Sequence, residues 1–218
     1  SVEEGALGVS TGLIYEPGRS SVVEDLVEIA TAAADSGGLY CTHIRDEGAG
    51  LIDAIDEALT IGRASGAGLQ ISHLKTVGQS NWGLVAPALA RIDEAHQGGL
   101  DIGFDVYPYT AASGPFEQYF DPANVDVARL EFVQIVHCPD FPQFEGRRVP
   151  AIATAEGCRP EDVTRQIIVG PRANETVCVI FEIDENEMRT VLAHPRAMIG
   201  SDGIPQDGGV PHPRLVGA

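Results

Sequence analysis

The chain has 218 residues, 44% of them hydrophobic and 21% charged, with a formal net charge of −18 at pH 7. This length and balance fit one globular domain with a substantial buried core. The acidity argues against nucleic acid or an anionic membrane as partner. No stretch approaches the ~20 apolar residues of a membrane span, and no cationic, apolar signal segment opens the sequence, so a cytoplasmic location is expected.

In chain order, strand-like and helix-like runs alternate. Residues 6–15 form a β-like run ending at Pro17–Gly18, and 21–35 read as a helix with Ser20 or Ser21 as N-cap. A strand over 39–45 leads to a helix over 51–65, a strand over 68–74 to a helix over 83–97, and a further strand follows over 101–107. Residues 110–150 read as a long loop or insertion with one short strand, 132–137. Helices are expected over 149–156 and 160–169, a strand over 177–183, a helix over 184–192 and a last strand over 197–201. This alternation predicts βαβ units and about five parallel strands. The expected class is α/β, a parallel barrel of the TIM type that is incomplete, since a closed one needs eight strands. The domain expectation is one partial barrel over 1–218 with an irregular insertion around 110–176.

Three apolar runs end in polar residues. One delivers His43, followed by Arg45, Asp46 and Glu47. A second delivers His73, with Lys75 two places on, and a third delivers Asp202, then Gly203. A barrel of parallel strands carries its chemistry at their C-terminal ends, and two histidines with an aspartate suit a hydrolytic metal site. His43, His73 and Asp202 are therefore expected to converge. The plainer alternatives are structural histidines, an Asp202 that caps a turn before Gly203, and a Lys75 that is a solvated strand-end charge. Arg45, Asp46 and Glu47 read as loop ion pairs, a helix-start cluster or support for His43. Cysteines at 41, 138, 158 and 178 match neither a zinc knuckle nor a disulfide framework, so reduced thiols are expected. Cys41 shares a strand with His43 and reads as buried rather than ligating.

The segments GALGVSTGLIY, LYCTHIRDE, LQISHLK, DVYPYTAASG, FEGRRVPAIATAEGCRPEDV, MRTVLAHPRAMIGSDG and PHPR occur in this order. Together they resemble the N-acyl-D-amino-acid deacylases (D-aminoacylases) of the amidohydrolase superfamily over almost the whole chain. The resemblance implies zinc-dependent hydrolysis of the amide of an N-acyl-D-amino acid, a small-molecule substrate. It implies His43 and His73 as metal ligands and Asp202 as the general acid/base. Tyr15, Lys75, Tyr107, Ser113 and Arg214 fall where the family contacts substrate. The family's HxH pair and early metal-ligating cysteine have no counterpart here, which implies a C-terminal part of such a barrel. The chain on its own is then expected to be inactive and to bind zinc weakly. The rival readings are a cyclic-amide hydrolase of hydantoinase or dihydroorotase type, and a non-catalytic truncated barrel. Acyl group, side-chain preference and oligomeric state are not legible.

Overall fold

The early apolar runs become neighbouring parallel strands because each is followed by an amphipathic helix long enough to cross back over the sheet. The computed structural model describes residues 2–120, 123, 125–205 and 208–217. It divides into two compact units, residues 1–108 with 183–200, and residues 109–182 with 201–218.

The first unit runs β1 (Gly8–Gly12), α1 (Val23–Ala34), β2 (Leu39–His43), α2 (Leu51–Ser65), β3 (Gly68–Ile71), α3 (Val85–Gln97) and β4 (Ile102–Val106). After the second unit's elements the chain returns to it as α7 (Glu185–Leu192) and β8 (Ala197–Ile199). The strands form one five-stranded sheet in the order β1-β2-β3-β4-β8, every pair parallel. Tyr40, Ile55, Ile61, Ile71, Ile92 and Phe104 are fully buried in its core. Burial of each such side chain contributes on the order of 1.5–3 kcal/mol. α2 stops at Gly66, whose φ of 72° is the left-handed C-cap that glycine adopts without penalty.

One local expectation is corrected. α1 has Val22 at its N-cap with no side-chain cap, not Ser20 or Ser21. The Ser20 hydroxyl donates to Glu16 instead, and Ser21 closes the preceding turn through its N–H to Gly18. Glu24 and Asp25 in the first turn compensate by facing the positive helix end. In β8, Met198 and Ile199 are 48% and 59% exposed, as suits an edge. Among the described residues the sheet is open at β1 and β8, so the architecture is α/β with a parallel sheet rather than a closed barrel.

The second unit contains β5 (Ala112–Pro115), the short α4 (Phe116–Tyr119), β6 (Val133–His137), α5 (Val149–Glu156), α6 (Pro160–Ile168) and β7 (Val177–Ile180). Its three strands form an antiparallel sheet in the order β5-β7-β6. Phe116, Val133, Ile135, Phe144, Ile152 and Ile180 fill a separate core. β5 lay inside the stretch expected to be loop, because Ala-Ser-Gly-Pro has no apolar alternation; it is defined by pairing with β7, Ala112 opposite Ile180. No helix among the described residues is long and apolar enough to cross a membrane.

Candidate metal centre

His43 closes β2, paired with Gly12 of β1, and its carbonyl accepts from the Leu13 N–H at 2.9 Å. The Tyr15 ring meets the imidazole edge-on, centroids 4.8 Å apart. His73 follows β3 by two residues and has a φ of 40°, a left-handed conformation uncommon for a residue with a Cβ. Asp105 of β4 holds it there. The Asp105 carboxylate accepts from the His73 N–H at 2.8 Å and from the Gln70 amide at 2.9 Å, while its carbonyl accepts from the Leu74 N–H. The two imidazoles end face to edge, centroids 4.3 Å apart.

Glu47 completes the group. Its Oε1 lies 3.0 Å from His73 Nδ1, 2.5 Å from Lys75 Nζ and 3.7 Å from His43 Nε2. Donor atoms of His43, Glu47 and His73 all fall within 4.8 Å of one another. Lys75 Nζ also stands 3.1 Å from His73 Nδ1 and 5.5 Å from the centre of the Tyr107 ring. Burial would raise the Glu47 carboxyl pKa, but Lys75 and the two histidines outweigh it and hold the group below the usual carboxylate range. Burial pushes His43 down to about 3 against the pull of Glu47, with His73 and Lys75 adding to the depression, so its imidazole is neutral. His43 Nε2 is buried and makes no hydrogen bond. A neutral imidazole with an orphaned nitrogen, a second imidazole and an ionised carboxylate are a donor set that fits a divalent ion of the zinc type.

The structure thus brings together Tyr15, His43, His73, Lys75 and Tyr107 in the first unit. Lys75 is only 6% exposed, which removes its reading as a solvated charge. Asp202, Ser113 and Arg214 fall in the second unit and meet there. The Arg214 guanidinium, 1% exposed, pairs with the Asp202 carboxylate at 2.8 Å and donates to the Ser113 carbonyl at 2.9 Å. Asp202 has a φ of 48° and, with His73, is one of two non-glycine residues with positive φ among the described residues. His212 accepts from the Arg214 N–H at 3.0 Å, and burial together with Arg214 lowers its pKa to about 4.

Asp105 escaped the sequence reading, and Glu47 entered it only within a charged run whose alternatives included support for His43. Asp105 carried no signal, being one acid inside a buried-looking strand. Glu47 stood in a run of three charged residues, of which Arg45 is taken up by Glu57 and Asp46 by the Gly48 N–H. Only Glu47 of the three turns to the histidines. Cys41 is not among the clustered donors, and all four cysteines are free thiols.

A parallel α/β sheet with two histidines and a carboxylate gathered beyond its strand ends is an arrangement in which a metal ion could be held. Comparison with known proteins narrows this. No family model matches the chain. Over its whole length it is 36% identical to an N-acyl-D-glutamate deacylase and 35% identical to a D-aminoacylase, both from Alcaligenes xylosoxydans xylosoxydans. In structure it matches the N-acyl-D-glutamate deacylase of Bordetella bronchiseptica, solved with zinc and a phosphonate mimic of the tetrahedral intermediate. The TM-score there is 0.86, with 34% identity over 97% of this chain. A crystal structure of D-aminoacylase gives a TM-score of 0.83 with 34% identity over 98% of this chain. The chain is therefore similar throughout to the N-acyl-D-amino-acid deacylases, and it spans about two fifths (42%) of the length of each of these four proteins.

Proposed function

We propose that this chain carries the histidine, acid/base and carboxylate-binding residues of a zinc-dependent deacylase that hydrolyses N-acyl-D-amino acids. The products are a carboxylate and a free D-amino acid. The observation that carries the reading is the convergence of His43, Glu47 and His73, in a chain alike along its whole length to deacylases, one of them solved with zinc. His43 and His73 would hold the ion, with Glu47 beside them. When bound, zinc supplies Lewis acidity and lowers the pKa of a coordinated water to about 7. The protein's own work is then binding and proton transfer. Asp202 takes a proton from the attacking water and delivers it to the amide nitrogen, so that the C–N bond breaks with a neutral amine leaving. Tyr107 or Ser113 donates to the carbonyl oxygen as it gains charge. Arg214, Tyr15 and Lys75 hold the α-carboxylate and so fix the scissile bond.

The test is hydrolysis by the protein as its gene encodes it, with zinc, of N-acetyl-D- and N-acetyl-L-amino acids and of hydantoins. Release of acetate from the D-compounds alone is expected. Ring opening of hydantoin without deacylation would replace the reading with the cyclic-amide alternative.

A further inference from the structure

Lys75 stands where a cation of another kind is expected. Its ammonium donates to Glu47 Oε1 at 2.5 Å and to the His73 carbonyl at 3.1 Å, and lies 3.1 Å from His73 Nδ1. Glu47 and His73 both belong to the cluster suited to a metal. We propose that Lys75 is a built-in competitor for the metal position, and that a divalent ion enters by displacing its ammonium from Glu47 and His73.

Charge and distance carry the argument. Zinc sits about 2.0–2.2 Å from carboxylate oxygens and imidazole nitrogens. An ion at that distance from Glu47 Oε1 and His73 Nδ1 would share both atoms with the ammonium and lie on it or in van der Waals contact with it. Two cations so close in a buried pocket repel strongly, because little water screens them. The pocket does not tolerate a bare Glu47 either, since an unpaired buried carboxylate is costly. Lysine solves this as a compact charge on a flexible stem, which can pair with the carboxylate in one state and swing aside in the other. Tyr107 offers a nearby ring face for the displaced ammonium, at 5.5 Å from its present place. Resting on the deacylase reading, the same displacement frees Lys75 for the substrate's α-carboxylate, so that loading the metal prepares the carboxylate site.

The experiment is zinc affinity of the full chain by competition with a chromophoric chelator, for the wild type, K75M, E47Q, E47Q/K75M, H43A and H73A. K75M is expected to bind zinc at least tenfold more tightly than wild type, and most of that gain should vanish in the E47Q background. Unchanged or weaker binding by K75M, while H43A and H73A both bind less zinc, overturns the displacement alone. Unchanged binding by H43A and H73A overturns the metal reading and the displacement with it. Should K75M fail to fold, wild-type protein decides, through the acetylation rate of Lys75 by an amine-directed reagent. Saturating zinc should raise that rate severalfold; no change, or protection, contradicts the displacement.

Discussion

His73 and Asp202 both hold a left-handed backbone, with φ of 40° and 48°. Such conformations cost energy and persist where the surroundings impose them, which is commonest at functional sites. Both residues were picked from the sequence as strand-end polar groups, a cue independent of the backbone. His43→Ala or His73→Ala is expected to lower bound zinc at least tenfold, read by elemental analysis after dialysis. In the protein as its gene encodes it, Asp202→Asn should keep zinc and fold while turnover drops by roughly two to four orders of magnitude. Normal turnover in that variant would remove Asp202 from the proton-transfer role. His212 gives a pH prediction. An unfolded histidine protonates near 6.5 and folded His212 near 4, so between these values unfolding takes up a proton. Its effect is absent above pH 6.5, and stability then falls as pH drops from about 6.5 towards 4. Urea titrations at pH 7.5 and 4.5 should show a smaller difference for His212→Asn than for wild type; an equal difference would assign the acid sensitivity elsewhere.

At the scale of elements, strand β4 positions the histidine of its neighbour. Asp105 ties β4 to β3 and the segment just beyond it through three hydrogen bonds, one from Gln70 in the strand and two from His73 and Leu74. Gly200 is kept side-chain-free beside it, since a Cβ there would lie 2.6 Å from Asp105 Oδ1. Asp105→Ala should cost about 1–3 kcal/mol by orphaning a backbone donor, and should weaken zinc binding without removing a donor. Asp105→Asn, which keeps an acceptor for the His73 N–H, should restore most of the affinity. Loss of stability with no change in zinc affinity would make Asp105 merely structural. Much of this level was legible in the sequence: α2 and α5 span the residues that their apolar spacing assigns, and the five parallel strands follow from apolar runs between helices. The strands expected over 39–45 and 68–74 end sooner, at His43 and Ile71, because the chain turns away once the ladder to the neighbouring strand stops. β5 and the role of Asp105 were not legible, and Glu47 could not be singled out from Arg45 and Asp46, since each depends on a partner far along the chain.

At the scale of the whole chain, and among the described residues, the first unit's sheet presents β1 and β8 as its edges, and β8 exposes Met198 and Ile199. Unpaired edge groups beside exposed apolar side chains favour strand-to-strand association. The average mass by light scattering is therefore expected to rise with concentration, and Met198→Lys should flatten the rise. A constant monomer mass for wild type would show that the edges are protected. The acidity of the chain, −18 in all, opposes such association, and added salt should strengthen it by screening.

The central claim is that His43 and His73, with Glu47 beside them, hold the metal. The most direct measurement is a crystal of the protein grown with zinc, with anomalous diffraction collected at the zinc edge. The account predicts one strong anomalous peak about 2.0–2.2 Å from an imidazole nitrogen of each histidine, with Lys75 moved off Glu47. A zinc peak elsewhere, or none with the Lys75–Glu47 pair intact at saturating zinc, would contradict it.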